Sequence, residues 1–173
     1  LIQYQMVQKM KRIILAVTII FISLASYAQP SEGDGTSGNP YRGTLTSDWT
    51  FAGGSNNYFG NLEVSSGTFT ISPGATLRFG TGNSLTISGT GVLSAVGTSG
   101  SQITFTASGT TWGHIVFSSA GTSSTIENCI IEKGYDGTYG GGLYITSSNI
   151  QVKNSIFRNS SSPRGGGVCV IGA

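Results

Sequence analysis

Short runs of alternating apolar and polar residues fill the chain from Thr44 onward. Leu62 and Val64 flank Glu63, Phe69 and Ile71 alternate with Thr68 and Thr70, and Leu77 and Phe79 flank Arg78. Leu85 and Ile87, Val92-Leu93, Ile103 and Phe105, and Ile115 and Phe117 continue the series. A period of two residues marks a strand with one face buried. Gly or Ser-Pro-Gly separates the runs, at Ser72-Pro73-Gly74, Gly80, Gly82, Gly89 and Gly91. From Phe69 the apolar positions recur every 8 residues, through Leu77 and Leu85 to Leu93. Strands this short and regular suit a meander, a sandwich or a solenoid, and three such sides make a solenoid turn of about 24 residues.

The last fifty residues favour the solenoid. Gly140-Gly141-Gly142-Leu143-Tyr144-Ile145 recurs as Gly165-Gly166-Gly167-Val168-Cys169-Val170, an offset of 25. Asn128-Cys129-Ile130-Ile131 recurs as Asn154-Ser155-Ile156-Phe157, an offset of 26. Trp112-Gly113-His114-Ile115-Val116-Phe117 is a weaker, earlier copy of the glycine segment. One coil therefore takes about 25 residues. Charges support this register, because Glu127 precedes Lys153 by 26 residues and Glu132 precedes Arg158 by the same 26. Stacked strands place equivalent residues about 4.8 Å apart, where opposite charges attract. Asn128 and Asn154 would then share one corner, since asparagine tolerates the left-handed conformation of a tight turn. These six residues are expected to form structural ladders.

Composition narrows the class. Charged residues are 9% of the 173, and Gly alone contributes 27. So little Ala, Leu, Glu and Lys excludes a helical bundle or coiled coil. No basic face is available for nucleic acid. A hydrophobic fraction of 38% argues against charge-driven disorder.

The first 28 residues read as an export signal. Met10-Lys11-Arg12 precedes an apolar run from Ile13 to Leu24, followed by the small residues of Ala25-Ser26-Tyr27-Ala28. That pattern predicts cleavage after Ala28, with Leu1–Lys9 as upstream read-through. The run is too short for a bilayer span, which takes about 20 apolar residues, so no span is expected in the mature chain. Removing Lys9, Lys11 and Arg12 leaves 6 basic and 7 acidic residues, a net charge of −1. Residues 29–43, rich in Gly, Ser and Pro, are expected to form a flexible leader, and residues 44–173 the repeat domain. Cys129 and Cys169 sit in apolar strands, where both read as small packed residues, although export would permit a disulfide. With one His and two Cys, no metal centre is indicated, and no cofactor motif is present.

A family resemblance rests on residues 73–117. Pro73-Gly74-Ala75-Thr76-Leu77-Arg78-Phe79, Ser84-Leu85-Thr86-Ile87, Gly91-Val92-Leu93, Ala95-Val96-Gly97-Thr98, Ile103-Thr104-Phe105-Thr106 and Trp112-Gly113-His114-Ile115-Val116-Phe117 resemble the opening coils of secreted β-helix proteins of the pectin-lyase-like superfamily. The glycine segments at 140 and 165 are similar to those of polymorphic outer-membrane repeats, and Ile156-Phe157-Arg158-Asn159 to their F-x-x-N element, with Ile in the first Phe position. The resemblance implies an all-β, right-handed parallel β-helix, and right-handed crossovers are the general preference. Since no capping segment follows Ile171, the β-helix is expected to be C-terminally incomplete in this sequence.

The fold hosts many activities, so function has to come from the site. A glycosidase needs two facing carboxylates, and a hard cation takes six or more oxygens. Glu32 and Asp34 fall in the leader, Glu127 and Glu132 in the ladders, and only Asp136 lies in a loop of the recurring coils. His114 is expected to be an ordinary surface residue, because Ile115 and Phe117 of its run face the core, and Trp112 to cover a coil end. Tyr135, Asp136, Tyr139 and Tyr144 cluster around one loop and are the candidate ligand contacts, as tyrosines can stack on sugar rings. The expected function is a secreted or cell-surface scaffold or adhesin-like module, non-catalytic and facing polysaccharide or a cell-surface glycan. The alternative is a polysaccharide lyase or glycoside hydrolase whose active site lies in coils downstream.

Overall fold

The structure, a computed structural model, describes residues 29–54, 57–120 and 123–172. The segment assigned to the export signal, 1–28, lies outside the described residues. Strands are named in chain order: β1 (Tyr41–Leu45), β2 (Trp49–Phe51), β3 (Tyr58–Val64), β4 (Thr68–Ile71), β5 (Thr76–Phe79), β6 (Leu85–Ser88), β7 (Val92–Val96) and β8 (Ile103–Ala107). They continue with β9 (Ile115–Ser118), β10 (Thr125–Glu127), β11 (Cys129–Glu132), β12 (Leu143–Thr146), β13 (Gln151–Lys153), β14 (Ile156–Arg158) and β15 (Val168–Ile171). No helix occurs among the described residues.

The strands stack in parallel as a β-solenoid of about four turns. One face runs β5, β8, β11, β14, a second runs β6, β9, β12, β15, and a third runs β2, β4, β7, β10, β13. Strand β3 joins the first two faces. Its Tyr58 and Phe59 pair with Arg78 and Phe79 of β5, and its Leu62 and Val64 with Leu85 and Ile87 of β6. Phe69, Leu77, Leu85 and Leu93 are all fully buried and fall on β4, β5, β6 and β7, one per face before the third face returns. The eight-residue interval is thus one side of the coil.

Coil length is less uniform than the sequence repeats imply. On the third face Trp49 pairs with Phe69, Phe69 with Leu93, Ser94 with Thr125 and Thr125 with Gln151, giving steps of 20, 24, 31 and 26 residues. The surplus goes into corners, such as the Thr98–Ser101 bridge turn, while each strand as far as β12 keeps its inward residues buried. Register is fixed because a shift of one residue would turn every apolar side chain outward.

Corners repeat along the solenoid. Asn128 and Asn154 both have φ 49, as expected for a shared left-handed corner. The amide of Asn128 donates to the carbonyl of Gly97, one coil back, at 3.2 Å. A second column follows the second face: Gly89 (φ 55), Ser119 (φ 50), Ser147 (φ 48) and Gly172 (φ 61) come directly after the paired residues Ser88, Ser118, Thr146 and Ile171. Small residues that tolerate positive φ let the chain turn at the same height in each coil.

The early coils hold an aromatic core. Trp49 stacks on Phe69 at 4.8 Å between centroids, and Phe79 on Trp112 at 4.6 Å. Trp112 does not cover a coil end, as the sequence suggested; it is fully buried. Its indole N–H donates to the Glu132 carbonyl at 2.8 Å, which removes the penalty of burying that group. The segment 29–43 also carries more order than its composition implies. Glu32 and Arg42 share an antiparallel bridge and a 2.8 Å salt bridge, and Tyr58 N donates to the Gly35 carbonyl. Pairing begins at Tyr41, whose strand lies against β3, rather than at Thr44.

Both charge pairs occupy register positions. Glu127 is the Cα partner of Lys153, and Glu132 that of Arg158. Only the second closes a salt bridge, with Arg158 Nη2 at 2.8 Å from Glu132 Oε2. Thr106 Oγ1, on the preceding rung, donates to Glu132 Oε1 at 3.0 Å. Burial pushes the Glu132 carboxyl upward, but the bonds from Arg158 and Thr106 outweigh it and hold it below the ordinary carboxylate range.

A carboxyl lowered on folding stabilises the native state above its unfolded pKa, near ~4.3, and loses that contribution as pH falls through the folded value. We expect urea midpoints to fall below about pH 4.5 in the parent. Glu132→Gln should cost about 1 kcal/mol at pH 7 and flatten this acid limb. Parallel pH profiles for the two proteins would refute the assignment.

Candidate functional site

Tyr135, Asp136 and Tyr139 lie on the loop between β11 and β12, and Tyr144 lies on β12 itself. Lys133 takes φ 61 and turns the chain off the first face. Gly134 then pairs with Trp112, and a Cβ there would overlap the carbonyl of Gly141, so only glycine allows this approach. Tyr135 pairs with Ser161 of the next coil, and its N–H is shared between the carbonyls of Trp112 (2.9 Å) and Gly113 (3.0 Å). The backbone of this loop is thus tied to the coils before and after it.

Asp136 closes the loop on itself. Its Oδ1 accepts from the backbone N–H of Thr138 at 2.8 Å and of Tyr139 at 2.7 Å. Burial acts to raise its pKa. The backbone donors of Tyr139 and Thr138 act the other way and prevail, so the carboxyl titrates below its usual range.

The tyrosines divide into two kinds. Tyr139 stacks on Tyr144 at 5.4 Å with 12° between ring planes, and Tyr144 lies near-parallel to His114 at 6.2 Å. The Arg164 guanidinium carbon sits 5.1 Å from the Tyr139 centroid. Tyr135 takes no part in this column and is 54% exposed. The structure therefore brings Asp136, Tyr139 and Tyr144 together and leaves Tyr135 as the open ring of the loop.

Two residues of this cluster were not among the sequence candidates. His114 is buried, contrary to the expectation of a surface residue. The loop returns over it: its Nδ1 lies 2.7 Å from the Gly140 carbonyl, so that nitrogen carries a proton and donates. Alternation within one strand cannot reveal a cover supplied by the following coil. Arg164 stands 25 residues after Tyr139, the offset that relates the two glycine segments, so the repeat contained the signal.

Chemically, the column is a rigid knob with its stacking surfaces and its Asp136 oxygen already engaged. Tyr135 can offer a ring edge and face to a ligand. Glu132 serves Arg158 and Thr106. Among the described residues no group of three His, Cys, Asp or Glu side chains is placed to hold a metal. Comparison with protein-family models, with curated proteins and with solved structures finds no match to this chain.

The cysteines lie on different faces, Cys129 on β11 and Cys169 on β15, and both are free thiols. Burial pushes the Cys129 thiol up to about 12, and its Sγ donates to the carbonyls of Ala95 and Glu127. A buried, protonated thiol is a poor nucleophile. Native protein treated with a maleimide at pH 7.5 should label at Cys169 alone, with Cys129 labelling only after denaturation. Equal labelling of both in the native state would contradict the placement of β11.

Proposed function

We propose that this chain is a secreted or cell-surface right-handed β-helix of the pectin-lyase-like type. It acts as a non-catalytic scaffold or adhesin-like module and contacts carbohydrate through the loop at Tyr135. The observation that carries this reading is the half-exposed Tyr135 ring on a backbone anchored to coils on both sides. With the backbone anchored, only the side-chain torsions remain to be ordered on binding, and an exposed tyrosine presents an apolar face with a polar tip to a sugar. The carboxylates nearest in sequence support a non-catalytic role, since Asp136 is bonded to its own loop and Glu132 to Arg158.

A glycan array probed with the labelled protein tests this reading. Binding to a subset of glycans is expected, weakened about tenfold by Tyr135→Ala, a loss of about 1.4 kcal/mol, and largely kept by Tyr135→Trp. An array on which no glycan is weakened by Tyr135→Ala, or no binding to any glycan, would overturn it.

A further inference from the structure

The second face carries another feature, away from the loop. An open groove of about 400 Å³ lies over the earliest coils, lined by Gly43, Thr44, Asn61, Leu62, Glu63, Ser84 and Thr86. It lies within the ~300–1,000 Å³ range of small-ligand clefts. Register builds it: Thr44 pairs with Glu63, and Glu63 with Thr86, so a hydroxyl, a carboxylate and a hydroxyl follow one another up the outer side. Gly43, with φ 91, borders the groove, and a Cβ there would overlap Ser31 Oγ, so glycine lets the Ser31 segment pack beside it.

The polar groups are held in place and retain bonding capacity. Asn61 Oδ1 accepts from Ser84 N at 2.9 Å, which orients the amide and leaves its NH₂ as a donor. Glu63 Oε1 accepts from Ser88 Oγ at 2.7 Å, leaving Oε2 as an acceptor. The two threonine hydroxyls can each donate and accept. A carboxylate between hydroxyls, with an amide donor alongside, matches the vicinal hydroxyls of a sugar. One carboxylate is too few for a hard cation. It also repels a polyanion, and the neighbouring Arg42 guanidinium is already bonded to Glu32 at 2.8 Å.

We infer that this groove is a second saccharide site, selective for a neutral oligosaccharide and independent of the loop at Tyr135. The same outer column continues from Thr86 to Val116 and Tyr144, so the groove and the tyrosine knob share one line along the solenoid. Val116 also shows that this column accepts valine, which makes Thr86→Val a conservative probe.

The full chain would be titrated calorimetrically with cellotriose, maltotriose, xylotriose and trigalacturonate. At least one neutral trisaccharide should bind. Glu63→Gln, which keeps an acceptor for Ser88, should weaken it about tenfold and Thr86→Val about threefold, with unchanged thermal midpoints, while Thr125→Val on the third face leaves it unaltered. Binding lost in Tyr135→Ala and kept in Glu63→Gln would overturn the groove and favour the loop. Absence of binding by every neutral trisaccharide, or tightest binding of trigalacturonate, would also overturn it, and array binding dependent on Tyr135 could still stand.

Discussion

Every coil of this molecule depends on the next for its backbone hydrogen bonds. A parallel strand has no partner within its own coil, so each N–H and C=O of a strand must meet a residue about one turn away. Leu62 N donates to the Ser84 carbonyl, Leu85 N to His114 and Ile115 N to Gly142, a chain of bonds up one face. The inward residues must then coincide rung by rung. Phe69 lies under Leu93 and Ile115 under Leu143, all of them buried. Corners absorb the differences in coil length because they alone are free of this constraint. The left-handed residues at Asn128, Ser119 and Ser147 are its local consequence, since each must reverse the chain within a fixed height.

This dependence explains what could be read from the sequence. Alternation and the eight-residue interval locate the sides, because burial is decided within each strand. The offsets of 25 and 26 locate the rungs of the last coils, and Glu132 does meet Arg158 there. Features supplied by a neighbouring coil were hidden. Trp112 is buried by Phe79 and by the Glu132 carbonyl, and His114 by the Gly140 turn, none of which is its neighbour in sequence. The 31-residue step from Ser94 to Thr125 was equally illegible, as its surplus lies in corners of Gly, Ser and Thr that carry no period. Of the candidate site, the loop and its tyrosines were legible. That Tyr139 and Tyr144 stack on each other, leaving Tyr135 open, depends on how the loop folds back.

Rigid stacking also shapes what the surface can do. Outward positions form columns, such as Thr50, Thr70, Ser94, Thr125 and Gln151 on the third face. Such a face is polar, nearly uncharged and regularly spaced, and it satisfies its backbone internally. The columns are interrupted by Glu63 between threonines and by the loop ahead of Tyr144.

Parallel register is the central claim, and a pair of engineered cysteines tests it most directly. Thr70 and Ser94 are Cα partners on adjacent rungs of the third face, whereas Thr70 and Thr125 are two rungs apart. Adjacent rungs, about 4.8 Å apart, fall within disulfide reach, and a separation of two rungs does not. In a Cys169→Ser background, Thr70→Cys with Ser94→Cys should oxidise to an intramolecular disulfide, and Thr70→Cys with Thr125→Cys should remain reduced. Closure of the second pair and not the first would contradict the register on which the whole account stands.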